Sequence, residues 1–461
     1  MAEVCPPPRR PGPRPAVPAV HRDRLRPLPF PPPKEAAIPS SLAAPTRPTA
    51  EAVQTPAKPT AGTILTHGEL AQALKIVEFG VCAKSAVEAQ RGVLVETGRN
   101  RAKLTTFDYE TAVSVTLTGR ARKGSSLLHF VQLKKALTAM VAGETKTRAE
   151  GTVVSLTGDL LSTEHLTVPI ATLEREEFTA PPEPLPATVT VDAGEFFAEL
   201  KRVLPAAARD DTLPLLTAVN FTLSGQTLTL AATDRYRLAE GQVRAEATVR
   251  APDQPVSVLF SASVLASLLK QFKTYQGPIG IGLLGEDGDI PRATLTLGDT
   301  QITVRAREGK FPTYSAMFPT EFAASVRMDR ATLVRAAKKS MAMVQAVGST
   351  GGPVALLWDK EGALTLAPVI ADPDAQSRVR GTNVPHSLTC GTGKDVAEQS
   401  VRFNPSFLLA ALDAFAHKDS VTLHIKEFED GHAAKPVLLS TDDGEDSYRH
   451  LLMPVRISAS A

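Results

Sequence analysis

A glycine-rich segment near the C-terminal end is the part of the chain closest to a catalytic phosphate-binding loop. Gly391 to Asp395 reads GTGKD. A phosphate loop requires a further glycine five positions earlier and a hydroxyl residue after the lysine, because backbone N–H groups cradle the phosphates and the hydroxyl holds magnesium. Here Leu388 stands at the first position and Asp395 at the last. The segment therefore does not predict nucleotide binding.

Other residue types that carry chemistry are scattered. The nine histidines form no HExxH pair, no GxSxG elbow occurs, and Cys5, Cys82 and Cys390 have no metal-ligand spacing. The acidic segment Asp442–Asp446 is more typical of a turn between strands than of a cation site. We therefore predict a protein that is not an enzyme and that holds neither metal nor cofactor.

Basic residues instead recur on segments with helical periodicity, where acidic residues are fewer. Such a lining could attract phosphates without reading base sequence. Solvent-facing helix surfaces also carry lysines routinely, so composition leaves both interpretations open. The residues concerned are Lys75, Lys134, Lys135, Lys201, Arg202, Lys270, Lys273, Arg335, Lys338 and Lys339.

Length and composition narrow the class of protein. The 461 residues suggest about three domains. The most apolar stretch, Val256–Leu269, is shorter than the ~20 residues that a membrane span needs, so we expect no membrane partner. Few cysteines favour a reducing cytoplasm. Aromatic residues make up 5%, which argues against stacking on single-stranded nucleic acid.

The first 60 residues differ from the rest. They hold 17 of the 37 prolines, with nine Lys/Arg against four Asp/Glu, whereas the chain as a whole has a net charge of +2. Proline forbids helix and removes backbone donors, and few bulky apolar residues remain to offset the entropy of ordering. We predict a disordered Pro/Arg-rich tail over residues 1–60.

The remaining chain repeats three landmarks at a period near 130 residues. The first landmark is an amphipathic helix ending in lysine, with Asp192 and Asp329 as predicted N-caps of the second and third copies. The second is a pair of alternating strands joined by a glycine-containing turn. The third is another helix, with one leucine pair in register in all copies. The first helices are predicted at 68–75, 194–204 and 330–341, the strand pairs at 92–108, 219–230 and 354–368, and the last helices at 129–140, 261–272 and 404–415.

Repeated helices and alternating strands predict an α+β fold of three similar domains, each with two helices and antiparallel sheets. We place their boundaries at residues 61–184, 185–314 and 315–461.

Three segments resemble the bacterial DNA sliding clamp, the beta subunit of DNA polymerase III. Thr212–Val243 resembles the family's middle domain, Arg307–Pro319 its link between the second and third domains, and Tyr448–Ile457 its C-terminus. They occur in the family's order and spacing. The resemblance covers residues 61–457 and is weaker in the first domain and within the third.

The resemblance implies a non-catalytic processivity factor in the bacterial cytoplasm. Two protomers of this family join head to tail into a ring of six domains that encircles double-stranded DNA without reading its sequence. A clamp loader opens the ring, and DNA polymerase III and other polymerases are tethered to it. The basic helices listed above would then line the hole.

The resemblance also implies a pocket for short apolar–aromatic client peptides between the second and third domains. Deletion of 451–457 is predicted to abolish peptide binding and leave the fold intact. The matching positions are Leu216, Thr233, Tyr236, Arg237, Leu238, Pro312, Met317, Asn404, Phe407, Leu451, Leu452, Met453, Pro454, Val455 and Arg456.

The dimer interface departs from the family pattern. The family pairs an acidic strand of domain three with a basic strand of domain one. Here Ile370–Pro385 carries Arg378 and Arg380, and the facing segment Ser162–Ile170 has little positive charge, leaving Leu166 and Val168 as an apolar contact. An alternative is therefore a clamp-fold interaction protein, a specialised paralogue that binds clamp clients or a clamp protomer without encircling DNA.

Overall fold

The computed structural model describes residues 62–210, 212–248, 255–283, 292–307, 309–347, 352–441 and 446–456. The predicted disordered tail over residues 1–60 lies outside this part of the chain. Residues 442–445, which make up most of the acidic segment Asp442–Asp446, also lie outside it.

The first repeat runs from residue 62 to residue 169. Its elements are β1 Gly62–Thr66, α1 His67–Val77, β2 Gly92–Gly98, β3 Arg101–Phe107, β4 Thr111–Thr118, β5 Arg120–Arg122, β6 Gly124–His129, α2 Phe130–Ala139, α3 Lys146–Gly151, β7 Val153–Thr157, β8 Leu160–Ser162 and β9 Thr167–Pro169.

The second repeat follows from residue 189. Its elements are β10 Val189–Asp192, α4 Ala193–Val203, β11 Ala218–Ser224, β12 Thr227–Thr233, β13 Arg237–Ala247, β14 Val256–Ser261, α5 Ala262–Gln271, β15 Pro278–Gly282, β16 Arg292–Leu297 and β17 Thr300–Arg305.

The third repeat begins at residue 324. Its elements are β18 Ala324–Asp329, α6 Arg330–Ala346, β19 Val354–Trp358, β20 Leu364–Pro368, α7 Pro373–Ser377, β21 Thr382–Asn383, β22 His386–Cys390, α8 Gly393–Val396, β23 Ser400–Phe403, α9 Pro405–Ala414, β24 Ser420–Ile425, β25 Phe428–Glu429, β26 His432–Ala433, β27 Val437–Ser440 and β28 Arg449–Leu452.

Strand pairing repeats in all three units. Each repeat contributes four antiparallel strands to each of two sheets, and in the third repeat β23 also pairs in parallel with β26. One sheet has the order β6-β2-β3-β4, β14-β11-β12-β13 and β23-β19-β20-β21 in successive repeats. The other has the order β1-β7-β8-β9, β10-β15-β16-β17 and β18-β24-β27-β28. The predicted α+β class and its three similar copies are thus confirmed, while the domain boundaries stay a prediction.

Successive repeats are joined by strand pairing. The last strand of the first sheet in one repeat pairs with the last strand of the second sheet in the next, as β4 with β17 and β13 with β28. The β4–β17 seam has five residue pairs and the β13–β28 seam has four. Backbone hydrogen bonds therefore continue across both seams.

Local sequence explains where the helices begin and which face they bury. Asp192 accepts a hydrogen bond from the N–H of Glu195, and Asp329 accepts one from that of Thr332, so both predicted N-caps are confirmed. The first aligned leucine of each last helix is fully buried: Leu133, Leu265 and Leu408.

The β2–β3 turn corrects one prediction. Gly98 closes β2, and the turn itself consists of Arg99 and Asn100, with φ of 48° and 61°. In the other two repeats a glycine has positive φ in the equivalent turn, Gly225 at 58° and Gly362 at 82°.

Within the described ranges, no helix is both long enough and apolar enough to cross a membrane.

Candidate functional site

An apolar cavity of about 480 Å³ lies beside the β13–β28 seam. It opens where the β12–β13 turn, the segment after residue 311 and the end of β28 meet. The lining is aliphatic, aromatic and methionine side chains with a few polar groups, which is typical of a peptide or small-ligand site. The lining residues are Leu213, Pro214, Leu215, Leu216, Thr233, Arg235, Tyr236, Arg237, Leu238, Pro312, Tyr314, Met317, Pro436, Leu451 and Met453.

Nine of the predicted client-pocket residues line this cavity, although they come from four separate stretches of sequence. Leu216, Leu238 and Leu451 are buried and form its floor. Tyr236, Met317 and Met453 are exposed by 57%, 47% and 44%, so they remain free to contact a ligand. The other three are Thr233, Arg237 and Pro312.

The β12–β13 turn positions the polar rim. The Asp234 carboxylate accepts hydrogen bonds from the backbone N–H groups of Tyr236 and Arg237, both at 3.0 Å, and from Nε of Arg237 at 2.9 Å. Arg235 has a φ of 77°, which makes the turn tight. The hydroxyl of Thr233 donates to the Arg237 carbonyl oxygen at 2.7 Å. Arg237 is thereby held in place before any ligand arrives.

Phe407 lies in an adjoining cavity rather than in the main one. Its ring stacks on Tyr236 at 6.3 Å between centres, and the Arg237 guanidinium lies 4.4 Å from its centre. The adjoining cavity, about 430 Å³, shares Leu216, Tyr236 and Arg237 with the main one. The two spaces can accommodate different parts of one extended ligand.

Five other predicted residues lie outside the main cavity. Asn404 caps α9 by accepting from the N–H of Ser406, and Leu452 is buried in the core. Pro454 follows β28 but does not line the cavity. The N–H of Val455 donates to the carbonyl oxygen of Arg402, and the guanidinium of Arg456 donates to that of Ala434. These contacts anchor the C-terminal strand and the segment after it.

The same anchoring corrects the deletion prediction. Leu451 and Leu452 are 2% and 1% exposed, and their backbones pair with both β13 and β27. Removal of 451–457 would expose the seam as well as the cavity, so the fold would not remain intact.

Several lining residues were missed from sequence. Leu213, Pro214 and Leu215 lie within the segment that carries the family resemblance, so that segment was the available signal. Tyr314 lies within Arg307–Pro319, which also carries the resemblance, whereas Pro436 comes from a link whose proximity follows from the strand pairing alone. Burial beside Glu240 raises the pKa of the Tyr314 hydroxyl above its ordinary range, so the group remains a neutral phenol.

A buried polar network lies behind the seam. The Arg202 guanidinium binds Glu199 and Asp446, each with a contact of 2.6 Å. The Tyr448 hydroxyl donates to the Arg202 carbonyl oxygen and lies 2.8 Å from Nδ1 of His450. Burial raises the pKa of Glu199. Burial also acts to raise that of Asp446, but hydrogen bonds, chiefly from Arg202, lower it below its ordinary value.

This network overturns the prediction that Arg202 faces DNA. Its side chain is only 11% exposed and is occupied by two carboxylates, so it cannot reach a phosphate in solution. Lys134 is half-exposed and paired with Glu78 at 2.6 Å. The other predicted cations are exposed on or just after the helices: Lys75, Lys135, Lys201, Lys270, Lys273, Arg335, Lys338 and Lys339.

The two segments predicted to form the dimer interface are sheet edges. Ser162–Ile170 is not one strand, because Thr163 and Leu166 form a turn between β8 and β9. Leu166 is exposed in that turn, and Val168 is half-buried in β9. Ile370–Pro385 contains the short helix α7 and the two-residue strand β21 in place of a long strand.

Residues 190–313 match the family model for the central domain of the DNA polymerase III beta subunit. The chain is 30% identical over 406 residues to the beta sliding clamp of Streptomyces coelicolor, across 84% of this chain and 97% of that protein. The chain belongs to the beta sliding clamp family.

Other comparisons agree with this family. The chain is 28% identical over 392 residues to the beta sliding clamp homolog GriR of Streptomyces muensis, across 84% of this chain and 97% of that protein. The DNA polymerase III beta subunit of Thermotoga maritima has a TM-score of 0.68 at 21% identity, and the Pseudomonas aeruginosa clamp bound to griselimycin has 0.69 at 18%; each comparison covers 86% of this chain and 100% of the other.

Membership in the sliding clamp family confirms the prediction that the chain is a DNA-replication protein and not an enzyme, because family members are non-catalytic processivity factors.

Proposed function

We propose that two copies of this chain form a closed ring that encircles double-stranded DNA and tethers polymerases in the bacterial cytoplasm. The observation that carries this proposal is the strand pairing repeated at the two seams within one chain. It predicts how a second copy would attach.

The repeat leaves one complementary pair of edges open. β9 holds the position of β17 and β28, and β21 holds the position of β4 and β13. Neither edge has a further strand partner within the described part of the chain. Exposed strand edges readily pair with another chain. Pairing β9 of each copy with β21 of the other would make two further seams of the same kind and close a ring.

The exposed cations support DNA as the occupant of that ring. Lys75, Lys135, Lys201, Lys270 and Lys338 represent five helices that recur in equivalent positions of the three repeats. These lysines would interact with DNA phosphates, which would attract the duplex in a salt-sensitive, sequence-independent way.

The cavity beside the β13–β28 seam supports tethering. Its aliphatic and methionine lining suits a short apolar–aromatic segment, and Arg237 can donate to that segment's carbonyl or carboxylate oxygens. DNA polymerase III, other polymerases and a clamp loader are the partners that we propose for this site.

One observation favours the alternative, a clamp-fold interaction protein that does not encircle DNA. β21 has two residues, whereas each internal seam joins four or five residue pairs. A shorter seam buries less backbone and would make self-association weaker than the joins within the chain.

Light scattering on a sizing column at several protein concentrations distinguishes the closed ring from the interaction protein. The ring predicts a stable species of about twice 49.0 kDa that is retained on closed circular DNA and released when the DNA is cut. A persistent monomer that still binds apolar–aromatic peptides would overturn the ring and support the interaction protein.

A further inference from the structure

A cluster of cations lies on strands and turns of the first repeat, and its members neither line the cavity nor belong to the helices predicted to line the ring. We define the hairpin-tip patch as Arg99, Arg101, Arg120, Arg122 and Lys123. All five side chains are exposed, and they belong to two adjacent turns, the β2–β3 turn and the segment from β4 to β6.

Backbone contacts hold the two turns together. The N–H of Gly119 donates to the carbonyl oxygen of Asn100 at 2.9 Å, which brings the residue before Arg120 against the residue after Arg99. The hydroxyl of Thr97 donates to the carbonyl oxygen of Arg122. Arg101 is opposite Thr118 in the β3–β4 register. The cations are therefore gathered on an ordered frame.

Little acidic charge opposes this cluster. Within the described ranges, none of Arg99, Arg101, Arg120 and Lys123 forms a salt bridge. Glu96 is the sole acidic residue between 92 and 107. Like charges held close together repel one another and are stabilised when a polyanion binds.

The β2–β3 turn also carries arginine where glycine is favoured. A two-residue turn with both φ values positive prefers Asn-Gly, because a β-carbon is crowded in that conformation. The other two repeats have a glycine with positive φ in the equivalent turn, Gly225 and Gly362, and neither turn is surrounded by a basic cluster. The first repeat instead places Arg99 at a φ of 48°. The charge is thus a departure from the repeat and not a requirement of its fold.

We propose that the hairpin-tip patch binds the phosphate backbone of duplex DNA outside the hole of the ring. Several guanidinium and ammonium groups can each contact a different phosphate of a duplex, because the phosphates are spaced regularly along it. A single small anion could not contact all of these groups. This contact is sequence-independent and does not require the ring to close, so it goes beyond the function proposed above.

The test is the salt dependence of binding to a short linear duplex with open ends, followed by fluorescence anisotropy. The patch variant combines R99N, R101Q, R120Q and K123Q; asparagine tolerates positive φ, so the turn is preserved. Each lost phosphate contact lowers the slope of log affinity against log salt by about 0.9, so we expect a slope smaller by about 3 to 4 and an affinity at least about tenfold lower.

A control variant removes the same charge elsewhere. K360Q, K394Q, K426Q and K435Q alter four exposed lysines of the third repeat and should leave the slope unchanged. An unchanged slope in the patch variant would overturn the proposal, as would an equal loss in the control. A poly-glutamate peptide that binds the patch as tightly as the duplex at the same salt would assign it to an acidic protein instead.

A third variant separates this proposal from the ring. K201Q, K338Q and K339Q remove exposed helix cations. If they abolish retention on closed circles while the patch variant alone weakens binding to linear duplex, the two contacts are distinct. If the helix variant alone affects both measurements, the patch proposal fails and the ring proposal stands.

Discussion

The guanidinium of Arg202 lies 4.0 Å from the centre of the Tyr448 ring, although the two residues are 246 positions apart in the sequence. Glu199 and Asp446 hold the guanidinium over the face of this ring with contacts of 2.6 Å. A charge buried in this way is tied to the carboxylates and to the aromatic face at once. The second and third repeats are therefore joined by side chains as well as by strands.

Replacement of Arg202 should destabilise the fold far more than replacement of its neighbour Lys201. R202A leaves two partly buried carboxylates without their cation, which costs about 3–5 kcal/mol of the free energy of unfolding. K201A alters an exposed side chain and should change stability by less than about 0.5 kcal/mol. Chemical denaturation of both variants measures this. Equal stabilities would contradict the buried network.

The cavity should depend on its exposed methionines. M453S and M317S remove apolar contact area without disturbing the core, and each should weaken binding of a short apolar–aromatic peptide by about tenfold, or 1.4 kcal/mol. Titration calorimetry measures the affinity. M343S is the matched control, because Met343 is 58% exposed on α6 and lies outside the cavity. Unaltered peptide affinity in M453S and M317S would argue against the site.

His450 should make stability depend on pH. Burial lowers its pKa to about 3, and its Nε2 has no hydrogen-bond partner within the described residues. The unfolded chain takes up a proton below pH ~6.5 that the folded chain does not, so the contribution is complete above that pH. Stability then falls by about 1.4 kcal/mol per unit as the pH is lowered towards 3.

Denaturation between pH 7.5 and pH 5.5, values that bracket the ordinary histidine pKa of about 6.5, measures this effect. H450Q should flatten the profile, whereas H417Q, at the half-exposed histidine beside Asp446, should keep most of the slope. A profile that is equally steep in H450Q would contradict the burial of a neutral imidazole.

The β9 edge should control self-association. V168K places a charge on the strand that we propose to pair with β21 of a second copy, and should raise the dimer dissociation constant by at least about tenfold. V153K serves as the control, since Val153 is 59% exposed on β7, away from the edge. Light scattering on dilution reports both. A V168K dimer as stable as the unaltered one would place the interface elsewhere.

Local patterns were enough to predict the repeating architecture. Apolar spacing located all six repeated helices, the acidic caps Asp192 and Asp329 marked where two of them begin, and alternation located the strand pairs. These features depend on residues a few positions apart, so the chain carries them in any segment of sufficient length. The prediction of a glycine-containing β2–β3 turn was wrong. Gly98 is a plausible turn residue, but Arg99 and Asn100 are the residues that adopt positive φ.

The roles of neighbouring residues required the tertiary structure. Lys201 and Arg202 are adjacent basic residues on one helix, and the sequence does not distinguish their roles. In the structure Lys201 is exposed to solvent, whereas Arg202 binds Asp446 across the seam. Tyr314 and Pro436 line the cavity because β13 pairs with β28 and brings distant links together. Helical periodicity defines which side chains share a face. It does not specify which face another repeat will cover, since that depends on contacts hundreds of residues apart.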